Sequence, residues 1–174
     1  MRIVLTLVFA LAAVVSAAAQ DVSLEYRVKA AYLFNFVSFV EWPPAALDAG
    51  RPLTICIAEE NPFGPALAAT LGGQTAGRRM LLSRVVRGDT ASCHILFIPR
   101  GVSAAPHLRR VGAAPILTVG ESGNFIEQGG MVNFILADGR VRFEINPQAA
   151  ARHQLKISSR LLQLARVVGP SEER

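Results

Sequence analysis

The pair Asp138-Gly139 leaves the chain around it little freedom. It is flanked by Met131 to Ala137 (MVNFILA) and by Arg140 to Asn146 (RVRFEIN). Both runs are rich in β-branched and aromatic residues, and Asp-Gly between such runs is the strongest short signal for a two-residue hairpin. A two-residue turn sets Leu136 opposite Val141, Phe134 opposite Phe143 and Val132 opposite Ile145. These pairs share one apolar face, so a slip of one residue would turn the whole apolar set to the other side. The second face carries Ile135 opposite Arg142 and Asn133 opposite Glu144. Asn133, Arg140, Arg142, Glu144 and Asn146 then form a polar strip on an antiparallel sheet edge. Arg142 beside Glu144 is either a solvated ion pair, worth little, or part of a recognition surface whose guanidinium fork takes a carboxylate or phosphate.

Upstream, Pro52 to Ala58 (PLTICIA), Arg79 to Val86 (RMLLSRVV), Cys93 to Pro99 (CHILFIP) and Pro115 to Val119 (PILTV) read as short apolar strands. Segments of helical character separate them, Phe63 to Leu71 and Val102 to Arg110 among them. Strands apolar on both faces that alternate with helices belong to a sheet covered on both sides. The expected fold class is α/β: a single compact domain with a mixed, mostly parallel sheet of about five to six strands. Helices cover both faces and the hairpin forms the terminal antiparallel part. A helical turn from Pro147 through Arg152 and a last helix, Arg160 to Val168, capped by Ser158 or Ser159, complete the expectation.

Between Val28 and Pro43 the sequence reads VKAAYLFNFVSFVEWP, with Tyr32, Phe34, Phe36, Phe39 and Trp42 close together. A helix running to about Glu41 and stopped at Pro43-Pro44 accounts for it. On a wheel of about 100° per residue, Arg27, Asn35, Ser38 and Glu41 share one arc, while Val28, Tyr32, Phe36 and Phe39 lie opposite, with Leu33, Val37 and Val40 beside them. Those four are expected in the core. Phe34 and Trp42 fall on the polar side, where rings point to contact with a second chain.

Residues 1–19 have the anatomy of a secretory signal peptide: Arg2, an apolar run from Ile3 to Val15, then the small residues Ser16 to Ala19. Cleavage is expected after Ala19. The other reading, an uncleaved anchor, needs a longer run than this one. The expected domain is 20–168, followed by a polar, disordered tail, 169–174. Export places Cys56 and Cys93 in an oxidising compartment, where an even pair usually bridges; two free buried thiols are the alternative.

The net charge of +5 comes from scattered basic residues, without the Lys/Arg run and interleaved aromatics of a nucleic-acid binder. No nucleophile elbow, dinucleotide fingerprint or phosphate loop occurs. His94, His107 and His153 stand apart, and no zinc-ligand spacing exists. The residues therefore point to neither catalysis, metal nor cofactor. Glu59 and Glu60 follow a strand, a frequent place for α/β sites, though such a pair is more often simply solvated.

Taken in order, KAAYLFNFVSFVEWP at Lys29 to Pro43, PLTICIAEENPFG at Pro52 to Gly64 and CHILFIPR at Cys93 to Arg100 resemble the YfiR family of small periplasmic proteins. PILTVGESGNF at Pro115 to Phe125, GGMVNFILADGRVRFEIN at Gly129 to Asn146 and LKISSRLLQLARVV at Leu155 to Val168 continue the resemblance. It implies a regulator, not an enzyme. Such proteins bind the periplasmic sensor part of an inner-membrane diguanylate cyclase and hold it off, lowering cyclic di-GMP and biofilm formation. It further implies a homodimer, and Cys56 and Cys93 match the positions of a family disulfide. The cysteines of a second family disulfide are absent, and Gln154 stands where a glycine is expected. Phe34, Trp42, Asn133, Arg142 and Glu144 are the expected partner or dimer contacts. The alternative is a small-ligand sensor module acting on another membrane receptor, such as a histidine kinase.

Overall fold

The computed structural model describes residues 24–47, 51–72, 75–76 and 79–169. The expected signal peptide, its cleavage at Ala19 and the tail beyond residue 169 lie outside them.

Helix α1 covers 24–39 and runs directly into β1, Val40–Glu41, and a short 3-10 turn, Pro44–Ala46. Then come β2 (Leu53–Ala58), α2 (Ala66–Leu71), β3 (Thr75–Ala76), β4 (Arg79–Val86), β5 (Ile95–Ile98), α3 (Ala104–Val111) and β6 (Leu117–Gly120). The chain continues through β7 (Val132–Ala137), β8 (Arg140–Ile145), α4 (Pro147–Arg152), β9 (Lys156–Ile157), α5 (Ser159–Leu164) and β10 (Arg166–Val167). The main sheet has the order β10-β8-β7-β6-β5-β2-β4-β3, and β1 pairs with β9 in a separate two-stranded sheet. Neighbours from β7 across to β4 are all parallel.

All six expected strands are present, and the hairpin has the expected register, from Ala137 opposite Arg140 to Val132 opposite Ile145. Asp138 and Gly139 take φ of 51° and 68°, the paired left-handed values that a type I′ turn requires. The hairpin is not the end of the sheet. β10 adds to β8 in parallel, Arg166 beside Glu144. The last helix therefore stops at Leu164, not Val168, because Ala165 turns extended (ψ 158°) and Val168 donates its N–H to the Ile145 carbonyl. That pairing satisfies backbone groups that a bare edge would leave open.

Consecutive sheet residues go to opposite faces. Ile55, Ile57, Ile95, Phe97, Phe134, Phe143 and Ile145 join α1, α2, α4 and α5 in one core. Cys56, Ala58, Leu96 and Ile98 join α3 and Phe125 in a second. Helices thus cover both faces, as expected. Within the larger core the Phe36 ring stacks on Phe134 at 5.9 Å and meets Phe143 edge-on at 5.3 Å, while Tyr32 meets Phe143 at 5.1 Å. Each such pair adds about 0.5–1.5 kcal/mol beyond the area it buries.

Cys56 and Cys93 are bridged, with their Cα atoms 5.7 Å apart. The bond ties the middle of β2 to the approach of β5 inside the α3-side core. In strand sequence, β4 lies on one side of β2 and β5 on the other, so the order reverses between β2 and β5. In open α/β sheets the crevice beyond the strand C-termini at such a point is the usual place for a site.

Candidate functional site

Asn133 and Glu144 face each other across the hairpin, with Arg142 two residues along on the same face. That face is opposite to α1, because Phe134 and Phe143 take the α1 side. The strip is less open than the sequence implied. Asn133 is 1% exposed and Glu144 6%, whereas Arg142 is exposed. Asn146 has left it: its Oδ1 accepts the Ala149 N–H at 3.0 Å and caps α4. The partner of Glu144 is Arg166 of β10, not Arg142. Sequence reasoning missed Arg166 because a two-residue strand carries no periodic signal.

The two rings assigned to a second chain part company. Trp42 is 8% exposed and sits in the larger core, its Nε1–H donating to the His94 carbonyl at 3.3 Å. The wheel misplaced it because the helix ends at residue 39. From Val40 the period is 2, so Val40 and Trp42 point inward and Glu41 outward. Phe34 stays half-buried against the core on the α1 side. It and the strip occupy opposite faces, so the structure does not bring them together. Val28, expected in the core, is exposed.

The buried face of α1 is centred on Ala30, Leu33, Phe36 and Val37, and it includes Lys29, 1% exposed. The Lys29 ammonium forms ion pairs with Glu121, just beyond β6, and with Glu25 one turn earlier. The Tyr26 hydroxyl donates to Glu121 Oε1 at 2.9 Å, and the Arg100 backbone N–H donates to the same oxygen at 2.7 Å. Arg100 Nη2 lies 3.8 Å from Glu25. Burial, with the Glu121 hydrogen bond and charge behind it, pushes the Tyr26 phenol well above its ordinary range. The wheel held the signal for Lys29, which lies within about 40° of Leu33 on the apolar arc.

This node closes the C-terminal end of the strands. Beside it, Glu59 ends β2 in a left-handed conformation (φ 60°), and its carboxylate lies 3.5 Å from Nε2 of His107 on α3. His107 is 4% exposed and its Nδ1 has no hydrogen-bond partner. Burial lowers its pKa, with Arg110 adding to the effect and Glu59 opposing it.

At the opposite end of the sheet a cleft of about 940 Å³ opens among the beginnings of β2, β5 and β6. Arg51, Asp89, Cys93, His94, Arg110 and Gln154 line it. Among the described residues no three His, Cys, Asp or Glu side chains are grouped as metal ligands, and no helix is long and apolar enough to cross a membrane.

A family model described as YfiR/HmsC-like matches residues 26–166, from the first turn of α1 to β10. No curated protein matches the chain.

Proposed function

We infer the function from one premise: this chain belongs to the YfiR/HmsC-like family, whose model matches residues 26–166. The family is one of periplasmic regulators rather than catalysts. We propose that this protein binds the periplasmic sensor part of an inner-membrane diguanylate cyclase and represses it, lowering cyclic di-GMP. The family match carries this reading. The Cys56–Cys93 bridge supports it, since such bonds persist in oxidising compartments. Of the strip residues expected to make partner contacts, Asn133 and Glu144 are buried and Arg142 is open to solvent, so Arg142 is the proposed contact to the cyclase. Phe34, on the other face, is the proposed contact to a second copy.

The test is cyclic di-GMP in the host. Deleting the gene should raise it, and re-expression should restore it. Arg142→Glu, with folding verified by circular dichroism, should fail to restore it. An unchanged nucleotide level in the deletion strain would overturn the regulator reading. Full restoration by a folded Arg142→Glu protein would overturn only the role of the strip.

A further inference from the structure

We propose that the outer edge of β4 receives an extended, acidic segment of a partner protein, which joins the sheet as a further strand. On its inner side β4 pairs with β2 in parallel, Leu81 to Val86 against Leu53 to Ala58. On its outer side β3 pairs only with Arg79 and Met80. Among the described residues, no strand continues along that edge past Met80. The Val86 carbonyl accepts the Glu59 N–H at 2.9 Å, so it points toward β2. Alternation along the strand then turns the N–H and C=O groups of Leu81, Ser83 and Val85 outward. A row of this kind is a template for pairing with another chain.

The side chains favour the same event. Leu82 and Val85 stand on opposite faces of the strand, and they are 47% and 45% exposed. Each offers apolar surface to the alternate side chains of an added strand, while the main-chain bonds hold it. Charge selects the occupant. Arg84 and Arg87 are exposed, and neither takes part in an ion pair among the described residues. No acidic residue occurs from Arg79 to Gly88. The first one beyond, Asp89, has its Oδ1 engaged by the Ala91 N–H at 2.9 Å. A second copy of β4 would set arginines against arginines with no carboxylate between them, and like charges across a strand pair are destabilising. An acidic strand meets the same arginines as cross-strand partners. The arginines therefore close the edge to its own copies and leave it open to one sign of charge.

Fluorescence anisotropy on the purified chain with its disulfide intact tests this, using labelled peptides of about eight residues, an ordinary strand length. One alternates valine with glutamate, one alternates valine with lysine, and one is the glutamate peptide methylated at alternate backbone nitrogens. Saturable binding of the glutamate peptide is expected, with each of the other two about tenfold or more weaker. Arg84→Glu should reverse the preference between glutamate and lysine. Val85→Pro removes an outward N–H and leaves the β2 ladder in place. With folding verified by circular dichroism, it should weaken capture severalfold. Arg160→Glu, on α5, should leave capture unchanged. Absence of saturation at about millimolar peptide, equal binding of the lysine or methylated peptide, or full binding by a folded Arg84→Glu protein would overturn the proposal. So would dimerisation of the wild-type chain that Val85→Pro abolishes, since the edge would then belong to a second copy. The readout is peptide capture by the isolated chain, so its outcome is independent of the cyclase reading.

Discussion

Lys29 on α1 and Glu121 beyond β6 stand 92 residues apart in sequence and meet as an ion pair sealed from solvent. The side chains are 2% and 0% exposed. Around them Glu25, Tyr26 and the Arg100 N–H satisfy the remaining polar valences, so the pair forms a closed network rather than a lone bridge.

In a closed network the costs of single deletions do not add. Lys29→Met leaves the Glu121 carboxylate buried without its cation and should cost about 3–5 kcal/mol in urea unfolding. Lys29→Met with Glu121→Gln should cost less than the sum of the two single changes. Additive losses would mean that the two groups do not act as a unit.

Gly120 and Gly130 both lie against the Phe125 ring, which is fully buried. A methyl group at either position would overlap that ring. Gly120→Ala and Gly130→Ala should each cost about 1–3 kcal/mol by overpacking. Phe125→Leu should recover part of the loss in the double variants, read as a smaller difference in thermal midpoint.

The Cys56–Cys93 bond closes a loop with a sequence separation of 37 residues. Restricting the unfolded chain over such a loop is worth about 4 kcal/mol in the entropic description. The Cys56→Ala, Cys93→Ala protein should lose stability of that order, and mass spectrometry of unreduced wild-type chain should show no alkylated cysteine.

His107 is held neutral by burial, with a pKa below its ordinary 6.5. As pH falls through 6.5, the unfolded chain takes up the proton before the folded one does, so stability falls with pH. For one such proton the slope reaches at most about 1.4 kcal/mol per pH unit. His107→Gln should flatten the stability profile between about pH 7 and 5, measured by urea unfolding at each pH.

Much of this was legible where one segment sufficed to decide it. Asp138-Gly139 and its flanks determine the hairpin register without help from the rest of the chain. The apolar strands and the Ser158 cap are equally local. The illegible parts depend on distant partners. Lys29 is buried only because Glu121 arrives from β6. Trp42 turns inward only because β1 pairs with Lys156–Ile157, which ends the helix earlier than Pro43 would. Arg166 reaches Glu144 only because β8 offers an open edge to a two-residue strand. The candidate surface shrank as well: Asn133 and Glu144 looked exposed from alternation alone, and both are buried, Glu144 with Arg166 of β10 as its partner.

The docking of α1 onto β7 and β8 has a temporal consequence. Tyr32 and Phe36 pack on Phe134 and Phe143, and β1 pairs with β9. Synthesis starts at the N-terminus and adds about 5–20 residues per second. The most aromatic segment of the chain therefore emerges roughly a hundred residues, and several seconds or more, before the strands that shelter it. Throughout that interval it is the stretch a holding chaperone would grasp and the stretch two nascent chains would share.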